Sequence, residues 1–157
     1  MANGIPCSAM AIRSDVLDAF AENNPYFNTF AGNPVSMAAA QAVLDYIREH
    51  DILAHTHEMG EKLREAMRDV ASRHPRLADV RGAGLFNGVE LVRPGTLEAD
   101  RPFAVQLIEQ LRENRVLISL CGPYGNVLKV RPPLVFDDAD LDFFASALET
   151  SLEQLER

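Results

Sequence analysis

At 157 residues, 47% hydrophobic and 24% charged, the chain has the size and balance of one globular domain with a core of its own. Its formal net charge of −8 comes from 23 acidic and 15 basic residues, the basic ones scattered along the chain, which argues against a nucleic-acid or anionic-membrane partner. Cys7 and Cys121 are too few for a disulfide framework and read as reduced thiols. The opening residues lack the basic and long apolar stretches of a signal peptide, and no apolar run approaches the ~20 residues that span a bilayer. A soluble, cytoplasmic protein is expected.

In chain order, the small apolar run Cys7–Ile12 predicts a buried strand. Ser14-Asp15 opens a helix carrying Val16, Leu17, Phe20 and Ala21 and ending at Asn23-Asn24-Pro25. A loop follows, and Pro34 suits the first turn of a helix running to His50. Asp51 can cap the next helix, whose apolar face is Ile52, Leu53, Met59, Leu63, Met67, Val70 and Ala71 and whose stop is His74-Pro75. Two strands, near Leu77–Arg81 and Leu85–Val92, flank Gly82-Ala83-Gly84, and Pro94-Gly95 marks a turn.

Arg101–Asn114 predicts an amphipathic helix with Phe103, Val105, Leu107, Ile108 and Leu111 inward. Val116–Leu120 and Val127–Val130 predict two more strands around Gly122-Pro123-Tyr124-Gly125, and Arg131-Pro132-Pro133 leaves the sheet. Asp137-Asp138 caps a last helix through Leu152. The order is α+β, helices on a small, mainly antiparallel sheet. The early strand has no partner nearby in sequence, as though it belonged to a larger sheet.

Three segments carry chemistry. Phe27-Asn28-Thr29-Phe30-Ala31-Gly32-Asn33-Pro34 is a tight turn that delivers a hydroxyl and backbone N–H groups beside a helix N-terminus, a geometry suited to a phosphate. It resembles the N-T-F-G-G-N-P segment of class-III aminotransferases, pyridoxal-phosphate enzymes of fold type I. Val80-Arg81-Gly82-Ala83-Gly84-Leu85-Phe86-Asn87-Gly88-Val89-Glu90-Leu91 resembles that family's V-R-G-x-G-L-x-x-G-x-E-L segment, which opens its small C-terminal domain. Gly122 to Leu134 is similar to its G-x-x-x-N-V-L-K-x-R-P-P-L segment. Their order and spacing extend the resemblance over nearly the whole chain.

The resemblance implies three parts: residues 1–33 as a remnant of the large α/β domain with strand, helix and phosphate loop; 34–75 as long interdomain helices; 76–157 as the small C-terminal α+β domain. It implies pyridoxal 5'-phosphate as cofactor and a homodimer in the intact enzyme. An amino group passes from an amino acid or amine to an oxo acid. Thr29 and Phe30 are the cofactor-binding candidates, Thr29 donating to the phosphate of the neighbouring subunit's cofactor. The competing reading of Thr29 is a local turn bond. Arg131 is the substrate-binding candidate, its planar fork suited to a carboxylate, against the reading of a solvated or ion-paired strand-end arginine. Asn28, Gly32, Asn33, Gly82 and Gly84 are read as shaping backbone, and Arg81 as pairing with a carboxylate.

No metal site is expected: His55 and His57 do not share a helix face, and the histidines, His50 and His74 included, read as solvent-facing. No catalytic residue is assigned either. The chain has two lysines, Lys62 and Lys129, and neither matches the family's Schiff-base lysine. Met1-Ala2-Asn3-Gly4-Ile5-Pro6 is similar to the stretch that follows that lysine. The expectation is a fragment, inactive alone. Two alternatives stand beside it. The Gly122–Pro133 segment looks most like a subgroup that includes phospho-lyases acting on amino alcohol phosphates. A stand-alone, non-catalytic oligomerising domain is the other.

Overall fold

A computed structural model describes residues 2–156; Met1 of the Met1–Pro6 stretch and Arg157, the last residue of the expected small domain, lie outside the described residues. The chain divides into two compact units, one ending at Ile52 and the other starting at Leu53.

The first unit opens with a turn in which Asn3 and Gly4 take positive φ and Ile5 N–H donates to Ala2 O. The strand expected over Cys7–Ile12 is absent: this stretch is irregular and, apart from the half-buried Cys7, exposed. A strand is stable only where a neighbour satisfies its backbone groups, and none lies beside it among the described residues. Helices α1 (Ser14–Asn23) and α2 (Pro34–Glu49) form where their patterns place them, and neither buries a single residue. Asp51 has φ +47 and makes the turn after α2, so it lacks the extended backbone of an N-cap.

The second unit holds the core. Helix α3 (Ile52–Arg73) buries Met59, Leu63, Met67 and Val70 at helical spacing, while the expected Leu53 is exposed. Strands β1 (Leu77–Ala83), β2 (Phe86–Leu91), β3 (Ser119–Cys121) and β4 (Val127–Val130) make one sheet in the order β1-β2-β4-β3, antiparallel throughout. Alternation sends Val89 and Leu91 of β2 and Leu128 and Val130 of β4 into the core. Helix α4 (Arg101–Glu113) adds Phe103, Ala104, Leu107 and Leu111; the expected Val105 points out. Helix α5 (Asp138–Leu155) completes the core with Leu141, Phe144, Leu148 and Leu152, starting from a capping box in which Asp137 and Asp140 satisfy each other's backbone N–H groups.

The V-R-G-x-G-L segment owes its glycines to packing. A Cβ on Gly82 would meet Phe86 O at 2.4 Å and one on Gly84 would meet Thr56 Cγ2 at 2.8 Å, while facing them one on Gly60 of α3 would meet Gly84 O at 2.2 Å. The buried Arg64 guanidinium ties α3 to this hairpin, donating to Gly84 O and to Asn87 Oδ1 at 2.8 Å. Asn126 makes a comparable tie within the sheet, where Nδ2 donates to Leu91 O at 2.7 Å while Leu91 N–H donates to Asn126 O.

The histidines are not uniformly solvent-facing. His74 is 5% exposed, with Nδ1 against Glu156 Oε2 and Nε2 against Glu149 Oε1, and His55 Nε2 lies 3.0 Å from Phe136 O. His50 stays exposed beside Tyr46, and His57 is exposed. Among the described residues no helix is long and apolar enough to cross a membrane.

Candidate functional site

Asn28 builds the loop before α2. Its Oδ1 accepts the Phe30 N–H at 3.1 Å, its carbonyl accepts the Ala31 N–H, and its Nδ2 donates to the Tyr26 hydroxyl. Gly32 then turns the chain at φ +69, a conformation that favours glycine. Ala31, at a position where the resemblance would put glycine, needs no positive φ. Asn33 caps α2: its Oδ1 accepts from Val35 N–H at 3.0 Å and Ser36 N–H at 3.2 Å. The expected shaping roles of Asn28, Gly32 and Asn33 match this geometry.

The consequence for an anion is a narrower site than the sequence suggests. The first N–H groups of α2 already have an acceptor in Asn33, and the Phe30 N–H has one in Asn28. Among the donors that remain is the Thr29 hydroxyl, exposed and, among the described residues, without a hydrogen bond. No charged residue occurs from Asn23 to Leu44, so a phosphate would meet no repelling carboxylate of this segment. The loop therefore fits the phosphate of a cofactor through Thr29. The Phe30 ring, 89% exposed, offers apolar area beside it.

Arg131 lies in the second unit. β4 ends at Val130, and Pro132 and Pro133 carry no N–H for a ladder. The chain peels away and closes a turn where Phe136 N–H donates to Pro133 O. The result is an open cleft of about 650 Å³ between the α4–β3 connection, the end of β4 and the start of α5. Arg131 lines it, exposed and, among the described residues, with no carboxylate in ion-pair reach. Lys129 and Arg115 line the same cleft; no sequence pattern marks either as a site residue, and only the cleft's geometry singles them out.

Lys62 is engaged elsewhere. Its Nζ lies 2.9 Å from Asp138 and 3.1 Å from Glu58, and these carboxylates, Asp138 first, hold its ammonium above the ordinary lysine range. That favours the charged form, which is no nucleophile. Arg81 pairs with Asp79 and Glu90 on the outer face of the sheet.

The antiparallel sheet backed by helices is part of the fold of pyridoxal-phosphate-dependent transferases and lyases, as solved relatives show. The chain belongs to the class-III aminotransferase family, whose model matches residues 1–152. It is 39% identical over 159 residues to ethanolamine-phosphate phospho-lyase homolog 1 of Caenorhabditis elegans, covering 100% of this chain and 34% of that one. It is 32% identical to the 4-aminobutyrate aminotransferase GabT of Escherichia coli, covering 90% and 33%. Among solved structures, a phospholyase from Arthrobacter in complex with phosphoethanolamine superposes with a TM-score of 0.84 at 42% identity, covering 89% of this chain and 33% of that one. A Bacillus anthracis aminotransferase gives 0.80 at 28% identity, covering 91% and 34%. The chain thus spans about a third of the length of the relatives it matches. Intact enzymes of this family depend on pyridoxal phosphate and act on amino and oxo substrates.

Proposed function

We propose that this chain supplies the C-terminal portion of a class-III pyridoxal-phosphate enzyme whose reaction is transfer of an amino group from an amino acid or amine to an oxo acid. The observation that carries the reading is the family match over residues 1–152, and within it each unit offers one uncommitted group, the Thr29 hydroxyl in a charge-free loop and Arg131 on an open cleft. Pyridoxal phosphate, when bound, supplies the electron sink at the amino-bearing carbon. This chain's residues bind and orient: Thr29 donates its hydroxyl proton to a phosphate oxygen of a partner subunit's cofactor, with Phe30 alongside. Arg131 holds the substrate's anionic group by a two-pronged hydrogen bond. In this reading residues 1–33 belong with a large domain, 34–75 are interdomain helices and 76–157 are the small domain. Both cysteines are free, which suits a reducing, cytoplasmic setting.

A second reading, release of phosphate from an amino alcohol phosphate with the same cofactor, is favoured by one observation. Identity to the two phospho-lyase relatives is 39% and 42%, against 23–37% for relatives named as aminotransferases or transaminases. Arg131 serves either, since its fork matches carboxylate and phosphate alike.

The test uses the intact enzyme that carries these residues, with pyridoxal phosphate present. Amino transfer between an amino acid and an oxo acid is measured beside phosphate release from phosphoethanolamine. Either activity supports the class-III reading and decides between its two forms; neither would contradict it. Thr29→Ala is expected to weaken cofactor retention on dialysis by about tenfold, the loss of one charge-assisted bond. The 157-residue chain by itself is expected to turn over neither substrate.

A further inference from the structure

We infer that His55 is a positioning residue for Arg131: by donating its Nε2–H to the Phe136 carbonyl it fixes the far end of the loop on which Arg131 stands. The inference rests on the functional reading for what Arg131 binds, and deepens it by naming the side chain that holds that arginine's loop in place. His55 is not among the residues that line the cleft; it acts through Phe136, which is.

The loop has few fastenings of its own. β4 ends at Val130, whose partner across the sheet is Asn87, and α5 starts from Asp137. Between them Pro132 and Pro133 have fixed φ and no N–H. Arg131 and Pro132, each preceding a proline, are confined to extended backbone. A segment stiffened in this way takes its direction from its two ends. Among the described residues, the hydrogen bonds of residues 132–136 are Phe136 N–H to Pro133 O, which closes a turn, and His55 Nε2 to Phe136 O, at 3.0 Å. Only the second reaches outside the loop. Leu134 and Val135 are exposed and give no hold; Phe136 is buried and marks the end that is held.

Helix α3 supplies the anchor through its repeat. His55, Met59 and Lys62 stand at i, i+4 and i+7, on one stripe of the helix. Met59 is buried in the core, and Lys62 pairs with Asp138 in the first turn of α5 at 2.9 Å. The same stripe therefore grips the loop's end with His55 and the following helix with Lys62. A carbonyl only accepts, so the imidazole carries a proton on Nε2, in its neutral or its cationic form alike. The bond joins residues 81 apart in sequence and is partly buried, where water competes less for it. Its acceptor belongs to the cleft wall, and Phe136 and Arg131 are the two ends of one proline-stiffened segment.

The experiment has two arms. In the 157-residue chain, amide relaxation should give Arg131, Leu134 and Val135 order parameters of about 0.85, falling toward about 0.6 in His55→Ala. His55→Gln, whose side-chain amide can donate to the same carbonyl, should restore them. In the intact enzyme with pyridoxal phosphate, His55→Ala should raise KM for phosphoethanolamine, or for the amino acid if that is what is turned over, about fivefold. Its kcat should stay within about twofold, the mark of binding lost equally from ground and transition states. His55→Gln should return KM to within about twofold of the parent. Lys62→Met, which cuts the other tie from this stripe, should lower the melting temperature slightly and leave KM unchanged. Order parameters that stay high in His55→Ala, a KM that does not move, or an equal rise in KM for Lys62→Met would each overturn the inference. An unmoved KM beside full turnover would leave the functional reading standing. An intact enzyme that turns over neither substrate would contradict that reading, and the order parameters would still decide whether His55 fixes the loop.

Discussion

The two units obey different rules. In residues 2–52, α1 and α2 have clear apolar stripes, α2 starts from asparagine and proline, and yet neither helix has a buried residue. In residues 53–156 similar stripes close on a sheet, and every member of the hydrophobic cluster lies at Met59 or beyond. Sequence pattern suffices to write a helix, but burial is what makes it stable, since isolated helices of this length are marginal in water. Thr29 sits in the unit without a core, and Arg131 at the rim of the one that has it.

The sharpest way to break this contrast is to truncate one leucine in each unit. Leu148 of α5 is fully buried, and Leu148→Ala should cost about 2–5 kcal/mol in chemical denaturation. Leu17→Ala, at a site 47% exposed, should cost less than about 0.5 kcal/mol. Equal costs would mean that α1 shares in the cooperative unit.

Removing caps sharpens it further. Asp137→Ala should lower the stability of the second unit by about 1 kcal/mol. Asn33→Ala, which deletes an equivalent cap on α2, should reduce helical circular dichroism and leave the main unfolding midpoint in place.

The weakest of these effects is electrostatic. Glu149 is held below the ordinary carboxylate range chiefly by the Arg73 guanidinium, with His74 adding to it. A depressed folded value means that the group's contribution is complete above its unfolded value of about 4.5 and is lost as pH falls through the lower folded one. Glu149→Gln should therefore flatten the acid limb of stability against pH, by a small amount because the pair is partly solvated. An unchanged limb would assign acid sensitivity to other carboxylates.

Legibility in the sequence follows the range of the interactions. The start of α2 at Pro34, the cap of α5, the stop at His74-Pro75 and the strand at Val127–Val130 are local, and each appears where its residues predict. Cys7–Ile12 has strand composition but needs a neighbour that no local pattern can supply. Leu53 and Val105 satisfy their helical repeats and still face outward, because what covers a face is decided elsewhere in the chain. The bond from Arg64 to Asn87 and the clasp of His74 by Glu149 and Glu156 join residues far apart in sequence, so nothing in the spacing announces them. At the candidate site, Thr29 and Arg131 are marked by motif, whereas the convergence of Arg115 and Lys129 on one cleft needs three dimensions.

Hydrogen exchange of the whole chain, resolved by residue, puts the contrast between the two units to the proof. Amides of β2, β4 and the buried faces of α3 to α5 should exchange only through global unfolding, while those of α1 and α2 should exchange within about a hundredfold of an unstructured peptide. Protection of α1 and α2 at the level of β4 would contradict the contrast and would show that the first unit is held by stabilising contacts beyond those described above.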